Sequence, residues 1–342
     1  MRTLFDKTSI NKVQLKNRFI RSATTEHLAD EAGFLTDRIS NLYEDLAKGG
    51  VGLIITSLAY ITENSKATNG QIGLYSDELI QEYEKLTSTI HKYGSKIFVQ
   101  LAFVTLNGEF LTPMNVTADD IQSIVTAFGD AAARAKKAGF DGIQIHAAHG
   151  FLFSQFLSPY FNKRIDEYNG SIDNRARIIF DSYKAIRDKV GPDYPVIIKI
   201  NSEDFINEGL SFDECKQVCT KLEEIGMDAI EISGGTLISP PNLGTSRKIS
   251  KNEEAYFKKY AEEIAKDINV PVILVGGNRD FESISNILNQ TDIEYFSLAR
   301  PLLCESNLIN RWKEGDFKPA KCLSCNKCLE STEDVTRCVF NR

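Results

Sequence analysis

Only four histidines occur in the 342-residue chain, and two of them, His146 and His149, are separated by two alanines in HAAH and followed by Gly150. A neutral imidazole both donates and accepts a hydrogen bond, so two of them at the end of an apolar run can hold one ligand oxygen between them. A single histidine at such a place ordinarily reads as a structural imidazole. The pair favours ligand binding, because His27 falls at a comparable point early in the chain and only His91 sits inside a helical segment.

Other polar groups close apolar runs in the same way. Ser22, Ala23, Thr24 and Thr25 follow RFIR, Gln100 lies in FVQLA, and Lys199 and Asn201 end VIIKIN. Ser233, Gly234 and Gly235 end AIEISGG, Gly276, Gly277 and Asn278 follow VILV, and Ala299 and Arg300 follow YFSL. Glycine backbone N–H groups can approach a phosphate closely while a guanidinium neutralises it, although glycines here could equally form turns and Arg300 could pair with a carboxylate. Lys199, emerging from a buried run, needs an electron-rich partner, since an unpaired buried ammonium sheds its proton. A cofactor ring that becomes anionic on reduction would supply one. Together the set describes a phosphorylated, planar, hydrogen-bonding cofactor.

Seven cysteines are distributed unevenly: Cys215, Cys219 and Cys304, then Cys322, Cys325, Cys328 and Cys338 close to the C-terminus. The last four are spaced C-x2-C-x2-C-x9-C, a ligand count that suits one [4Fe–4S] cluster or one zinc ion, with unligated thiols as the alternative. An odd total and this clustering argue against a disulfide framework.

Eight apolar runs of strand length recur (18–23, 52–58, 96–102, 142–148, 196–201, 229–235, 272–277 and 295–301), most followed by a segment of helical period. Near-continuous apolarity suits buried parallel strands, and strand–helix alternation predicts an α/β fold, a (β/α)8 TIM barrel over residues 1–313. KTSINKVQLKN reads as a short N-terminal hairpin closing the barrel floor, residues past about 302 as a final helix, and 314–342 as a Cys-rich tail. A doubly wound open sheet is the rival, disfavoured because no G-x-G-x-x-G follows the first strand. In such barrels the groups at the strands' C-terminal ends form the site.

Composition narrows the function classes. A hydrophobic share of 42% supports a large core, and a formal charge of −7 without a long basic run gives no basis for binding nucleic acid or anionic lipid. No apolar stretch reaches membrane-spanning length and the N-terminus lacks a signal-peptide core, so a cytoplasmic, non-membrane protein is expected.

The stretch IQIHAAHGFLFSQFLSPYFNKRIDEYNGSIDNRARI, with LKNR from Leu15 to Arg18 and SLARPLL around Arg300, resembles the old yellow enzyme family of FMN-dependent oxidoreductases along essentially the full length. The resemblance implies FMN across the barrel mouth, its phosphate near Gly277, Asn278, Ala299 and Arg300, while the glycine-rich strand ends add Gly234 and Gly276 as cofactor-binding candidates. It places the flavin pyrimidine edge against Thr25, Gln100 and Lys199, with backbone contacts from Ser22 to Thr24 and from Leu58. It also implies a hydride taken from NADH or NADPH and passed to an α,β-unsaturated carbonyl compound, whose oxygen His146 and His149 would bind.

Three departures stand out. Phe151 occupies the position where relatives usually carry a proton-donating Tyr, leaving His27, Tyr60 or water to substitute; His27 could also be a plain surface histidine. Lys199 stands where many relatives have Arg, and the stretch after Gln100 lacks the usual L-x-H-x-G-R. Larger relatives carry a [4Fe–4S] site with the longer spacing C-x2-C-x3-C-x11-C, which relays electrons. The expectation is therefore an enone or enoyl reductase, with a homo-oligomer or an electron-transfer partner left open. Its alternatives are an amine or ether demethylase-type dehydrogenase, or a catalytically impaired flavin electron-transfer subunit.

Overall fold

In the computed structural model, which describes residues 1–250, 253–330 and 335–340, eight parallel strands close into a barrel. They are β3 (Phe19–Arg21), β4 (Leu53–Tyr60), β5 (Lys96–Ala102), β8 (Gly142–Ala147), β9 (Val196–Asn201), β10 (Ala229–Ser233), β11 (Val272–Leu274) and β12 (Tyr295–Leu298). Helices α1 (Asp37–Lys48), α2 (Ile80–His91), α3 (Ala118–Lys137), α5 (Ile172–Val190), α6 (Phe212–Glu224), α7 (Lys258–Asp267) and α8 (Phe281–Gln290) alternate with them. The order is that expected of a (β/α)8 barrel, in which each right-handed crossover returns the chain beside the previous strand.

The first two strands, β1 (Thr8–Ile10) and β2 (Val13–Leu15), pair antiparallel as the anticipated hairpin. Their Ile10 and Leu15 are fully buried against Ile20, Leu53, Phe98, Ile197 and Ile273, so the hairpin plugs the floor of the barrel. A second hairpin, β6 (Thr105–Leu106) with β7 (Glu109–Phe110), stands at that open end after β5. The short helix α4 (Leu152–Leu157) begins directly after Phe151.

Local chemistry supports these boundaries. Thr117 and Ser211 each form a reciprocal capping box, with Asp120 and Glu214 respectively, satisfying N-terminal donors of α3 and α6. Strands three and five of the barrel match the sequence expectation residue for residue, whereas β3, β11 and β12 stop two or three residues early. Those residues bend outward into loops, which places Ser22–Thr25 and Gly276–Asn278 around the mouth. The single final helix expected past 302 is instead two short ones, α9 (Arg300–Cys304) and α10 (Leu308–Lys313), separated at Glu305–Asn307.

Candidate active site

Polar inward-facing residues concentrate in the upper barrel layers. Register places His146 beside Lys199 and Lys199 beside Glu231, on β8, β9 and β10. Gln100 on β5 likewise neighbours Gln144 on β8. Lys199 is 3% exposed and its Nζ lies 3.2 Å from Oε1 of Glu231 and 2.8 Å from Ser22 Oγ. The compensating charge for Lys199 is thus a carboxylate of the chain itself, correcting the expectation that a cofactor ring alone would provide it. Sequence reasoning passed over Glu231 because AIEIS looked like an apolar strand; a charged residue inside such a run was the available signal.

Above this layer a cavity of about 360 Å³ opens at the barrel mouth, within the usual size range of a cofactor site. Ser22, Ala23, Thr24 and Thr25 form one wall, Gly276, Gly277 and Asn278 another, and Ala299 and Arg300 a third, with Lys199, His149 and His27 also lining it. Arg300 Nη1 donates to the Arg247 carbonyl at 2.8 Å and to Asn326 Oδ1, and Arg300 forms no salt bridge among the described residues. Asn278 Oδ1 and Ser297 Oγ, on residues of this cavity's wall, are buried without a hydrogen-bond partner. A guanidinium, an ammonium and backbone of positive-φ glycines (Gly276 +103°, Gly277 +80°) around one space suit a phosphorylated, hydrogen-bonding cofactor.

The 22–26 loop is fixed from beneath. Arg21, buried, bonds to the Ser22 carbonyl and Thr24 Oγ1 and pairs with buried Glu26 at 3.0 Å, while Tyr43 donates to Glu26 at 3.2 Å. This pair lies outside the residues that sequence reasoning singled out.

His149 sits in the left-handed region (φ +68°), a strained conformation for a residue with a Cβ. It is held there by its backbone N–H donating to Asn201 Oδ1 at 3.1 Å, and its Nε2 lies 2.7 Å from Ser233 Oγ. The His146 ring is 5.3 Å from that of His149 and 5.0 Å from Phe151, and its Nδ1 is buried without a partner. Burial, and secondarily the charge of Lys199, pushes His146 down to about 3; burial also holds His149 well below the usual imidazole range, with His146 and Lys199 adding to it. Both rings are neutral at neutral pH and can act as hydrogen-bonding groups without changing charge.

Several expected site residues fall elsewhere. Tyr60 is buried, stacks on Tyr75 and donates its hydroxyl to the Ala32 carbonyl at 2.7 Å, so it does not line the cavity. Gln100 lies below the mouth with Nε2 bonded to Gln144 Oε1 at 2.7 Å, and the Leu58 carbonyl accepts from Gln71. Gly234 is also absent from the lining; a Cβ there would come within 2.7 Å of Phe257 and 2.9 Å of Phe205, so this glycine admits aromatic packing instead of presenting backbone to a phosphate. Phe151 packs between His146 and Phe110, at ring distances of 5.0 and 6.4 Å.

The tail lies against the cavity. Ser324, Leu329 and Thr336 contribute to its wall, and Arg279, paired with Glu254 at 2.8 Å, donates to the Cys322 carbonyl at 3.0 Å. Cys322, Cys325, Cys328 and Cys338 all line one small void beside Arg300. Among the described residues no three His, Cys, Asp or Glu are grouped as donors to a metal, so the ligand set anticipated from spacing for a [4Fe–4S] cluster or a zinc ion is not assembled at Cys322, Cys325, Cys328 and Cys338. Cys304, omitted from that set, joins Cys322 and Cys338 in one buried cluster.

The sequence matches the NADH:flavin oxidoreductase / NADH oxidase family over residues 3–109 and 104–318. The chain belongs to this family. It is 33% identical to the NADH oxidase of Thermoanaerobacter brockii over 94% of its length and 31% identical to the NADPH dehydrogenase of Clostridium acetobutylicum over 88%. It spans about half (52%) of the former relative and 91% of the latter. The fold is shared with the old yellow enzyme homologue from Zymomonas mobilis, at a TM-score of 0.80 and 21% identity over 99% of this chain and 98% of that one. Family membership agrees with the old yellow enzyme resemblance carried by HAAHGFL and SLARPLL. Among the described residues no helix is long and apolar enough to cross a membrane.

Proposed function

We propose that this family member binds FMN in the cavity at the barrel mouth and, with NADH or NADPH as electron source, reduces an alkene conjugated to a carbonyl. The observation that carries the reading is a space bounded by Arg300, Lys199 and the Gly276–Gly277 backbone with neutral His149 in its wall and the neutral His146 ring 5.3 Å behind that of His149. When bound, FMN supplies hydride transfer, for which no side chain of the protein is equipped.

The chain's own residues do the rest. Arg300 and the Gly276–Asn278 backbone hold phosphate, and Lys199, paired with Glu231, turns its ammonium end toward the ring system. His146 and His149 donate hydrogen bonds to the substrate carbonyl oxygen, stabilising the negative charge that develops there. Phe151 can give no proton, so His27, a residue of the same cavity wall, delivers it to the α-carbon.

Anaerobic reduction with NADH or NADPH, followed by cyclohexenone, tests this reading. Reoxidation of the flavin at a rate proportional to the enone is the expected result. No reoxidation by any conjugated alkene, with rapid transfer to a ferredoxin-like acceptor, contradicts it in favour of an electron-transfer subunit.

A further inference from the structure

Glu231 is a carboxylate at 0% exposure within the barrel, and no step of the proposed chemistry uses it. Both of its oxygens are engaged: Oε1 faces Lys199 Nζ at 3.2 Å and accepts from Ser22 Oγ at 3.0 Å, while Oε2 accepts from Gln144 Nε2 at 2.6 Å. An ionised carboxylate only accepts. Gln144 must therefore turn Nε2 toward Glu231 and Oε1 toward Gln100, whose Nε2 donates to it at 2.7 Å. Gln100 is left with its carbonyl oxygen as the end of the amide that this chain of bonds does not engage. One buried charge thus sets the direction of two neutral amides, each of which could otherwise face either way.

We propose that Glu231 is a positioning residue of the site, acting through Lys199 and through Gln144 to Gln100. Paired with Lys199 it leaves the cavity floor nearly neutral, so the space above receives a dipole and not a full positive charge. Through Gln144 it also fixes Gln100 as an acceptor. The inference rests on the FMN reading, and it assigns the pair, not Lys199 alone, the setting of the preference for reduced over oxidised flavin.

The experiment measures the flavin midpoint potential of holoprotein in wild type, Glu231→Gln, Glu231→Asp, Lys199→Met and the Lys199→Met/Glu231→Gln double variant. Removing the carboxylate exposes the unneutralised ammonium, which favours the more negative reduced flavin. Glu231→Gln is expected to raise the reduced-to-oxidised affinity ratio about tenfold, equivalent to about 30 mV for a two-electron couple. Glu231→Asp, keeping the charge, is expected to return most of that shift. A purely structural role would predict no change in potential, and equal potentials in wild type and Glu231→Gln overturn the proposal, as does an Asp variant displaced as far as the Gln variant. Should Glu231→Gln fail to fold, Lys199→Met against the double variant carries the test. The orphaned carboxylate lowers the potential, its removal raises it again, and identical values refute the role. A wild-type protein that takes up no FMN overturns the FMN reading itself, an outcome distinct from bound flavin with an unmoved potential.

Discussion

Ser233 Oγ lies 2.7 Å from Nε2 of His149, so the last residue of β10 determines how the second imidazole of the pair faces the cavity. A neutral hydrogen bond of this kind contributes about 1 kcal/mol, and Ser233→Ala is expected to weaken binding of a phenol-type ligand about two- to tenfold while FMN content stays unchanged. Ligand titration followed by flavin absorbance measures both; unaltered affinity would show that the ring is oriented by other contacts.

Removing the imidazoles separates ligand binding from cofactor binding. His146→Ala and His149→Ala should each lower enone reduction about a hundred- to a thousandfold, the cost of losing one donor to a developing oxyanion. The double variant should keep its flavin and lose the charge-transfer bands that phenols induce. Bands that persist in the double variant would refute the role given to the pair.

The titration behaviour of His146 gives a pH test. Its folded value is lowered from 6.5 to about 3, so between those values the unfolded chain binds a proton that the folded chain refuses. Stability from this group is therefore complete above pH 6.5 and declines as pH falls toward 3. Phenol affinity should show no inflection near 6.5, since neither ring charges there; a titration with a midpoint at ordinary histidine pH would contradict the neutral pair.

The Lys199–Glu231 pair makes a stability prediction independent of flavin. Lys199→Met leaves a carboxylate buried without its counter-charge, which typically costs about 3–5 kcal/mol. Denaturant unfolding of the apoprotein should register that loss, and adding Glu231→Gln should recover most of it. Additive losses in the double variant would mean that the two charges are not coupled.

Much of this arrangement was legible before any coordinates. Continuous apolar runs at 96–102 and 196–201 define strands because both faces of a parallel strand are buried, and HAAHG marks the mouth because polar residues at a strand end have few other reasons to be there. What escaped was direction and layer. Periodicity cannot tell that Gln100 lies below the cavity while Thr25 lies in its wall, or that Gly234 gives room to Phe257. Glu231 was hidden because its partners Ser22, Gln144 and Lys199 come from elements distant in sequence, and the Arg21–Glu26 pair because it depends on how the short loop between them turns back under Tyr43. Cys304 was missed because the spacing motif begins eighteen residues later.

The missing proton donor can be restored. Phe151→Tyr puts a hydroxyl next to His146, whose ring is 5.0 Å from that of Phe151, and should raise enone turnover substantially, since a positioned acid contributes about 10²–10⁴-fold where proton delivery is limiting. His27→Gln should lower turnover in the native background and matter little once Tyr is present. If His27→Gln has the same activity as the native protein, His27 is not the donor.

The claim on which all of this depends is that the mouth of the barrel holds FMN, and titration of deflavinated protein with FMN, monitored by quenching of flavin fluorescence, tests it most directly. The expected result is saturation at one FMN per chain, with affinity falling sharply in Arg300→Ala. Protein that leaves FMN fluorescence unquenched, or an Arg300→Ala variant that binds as tightly as the native chain, would contradict the account.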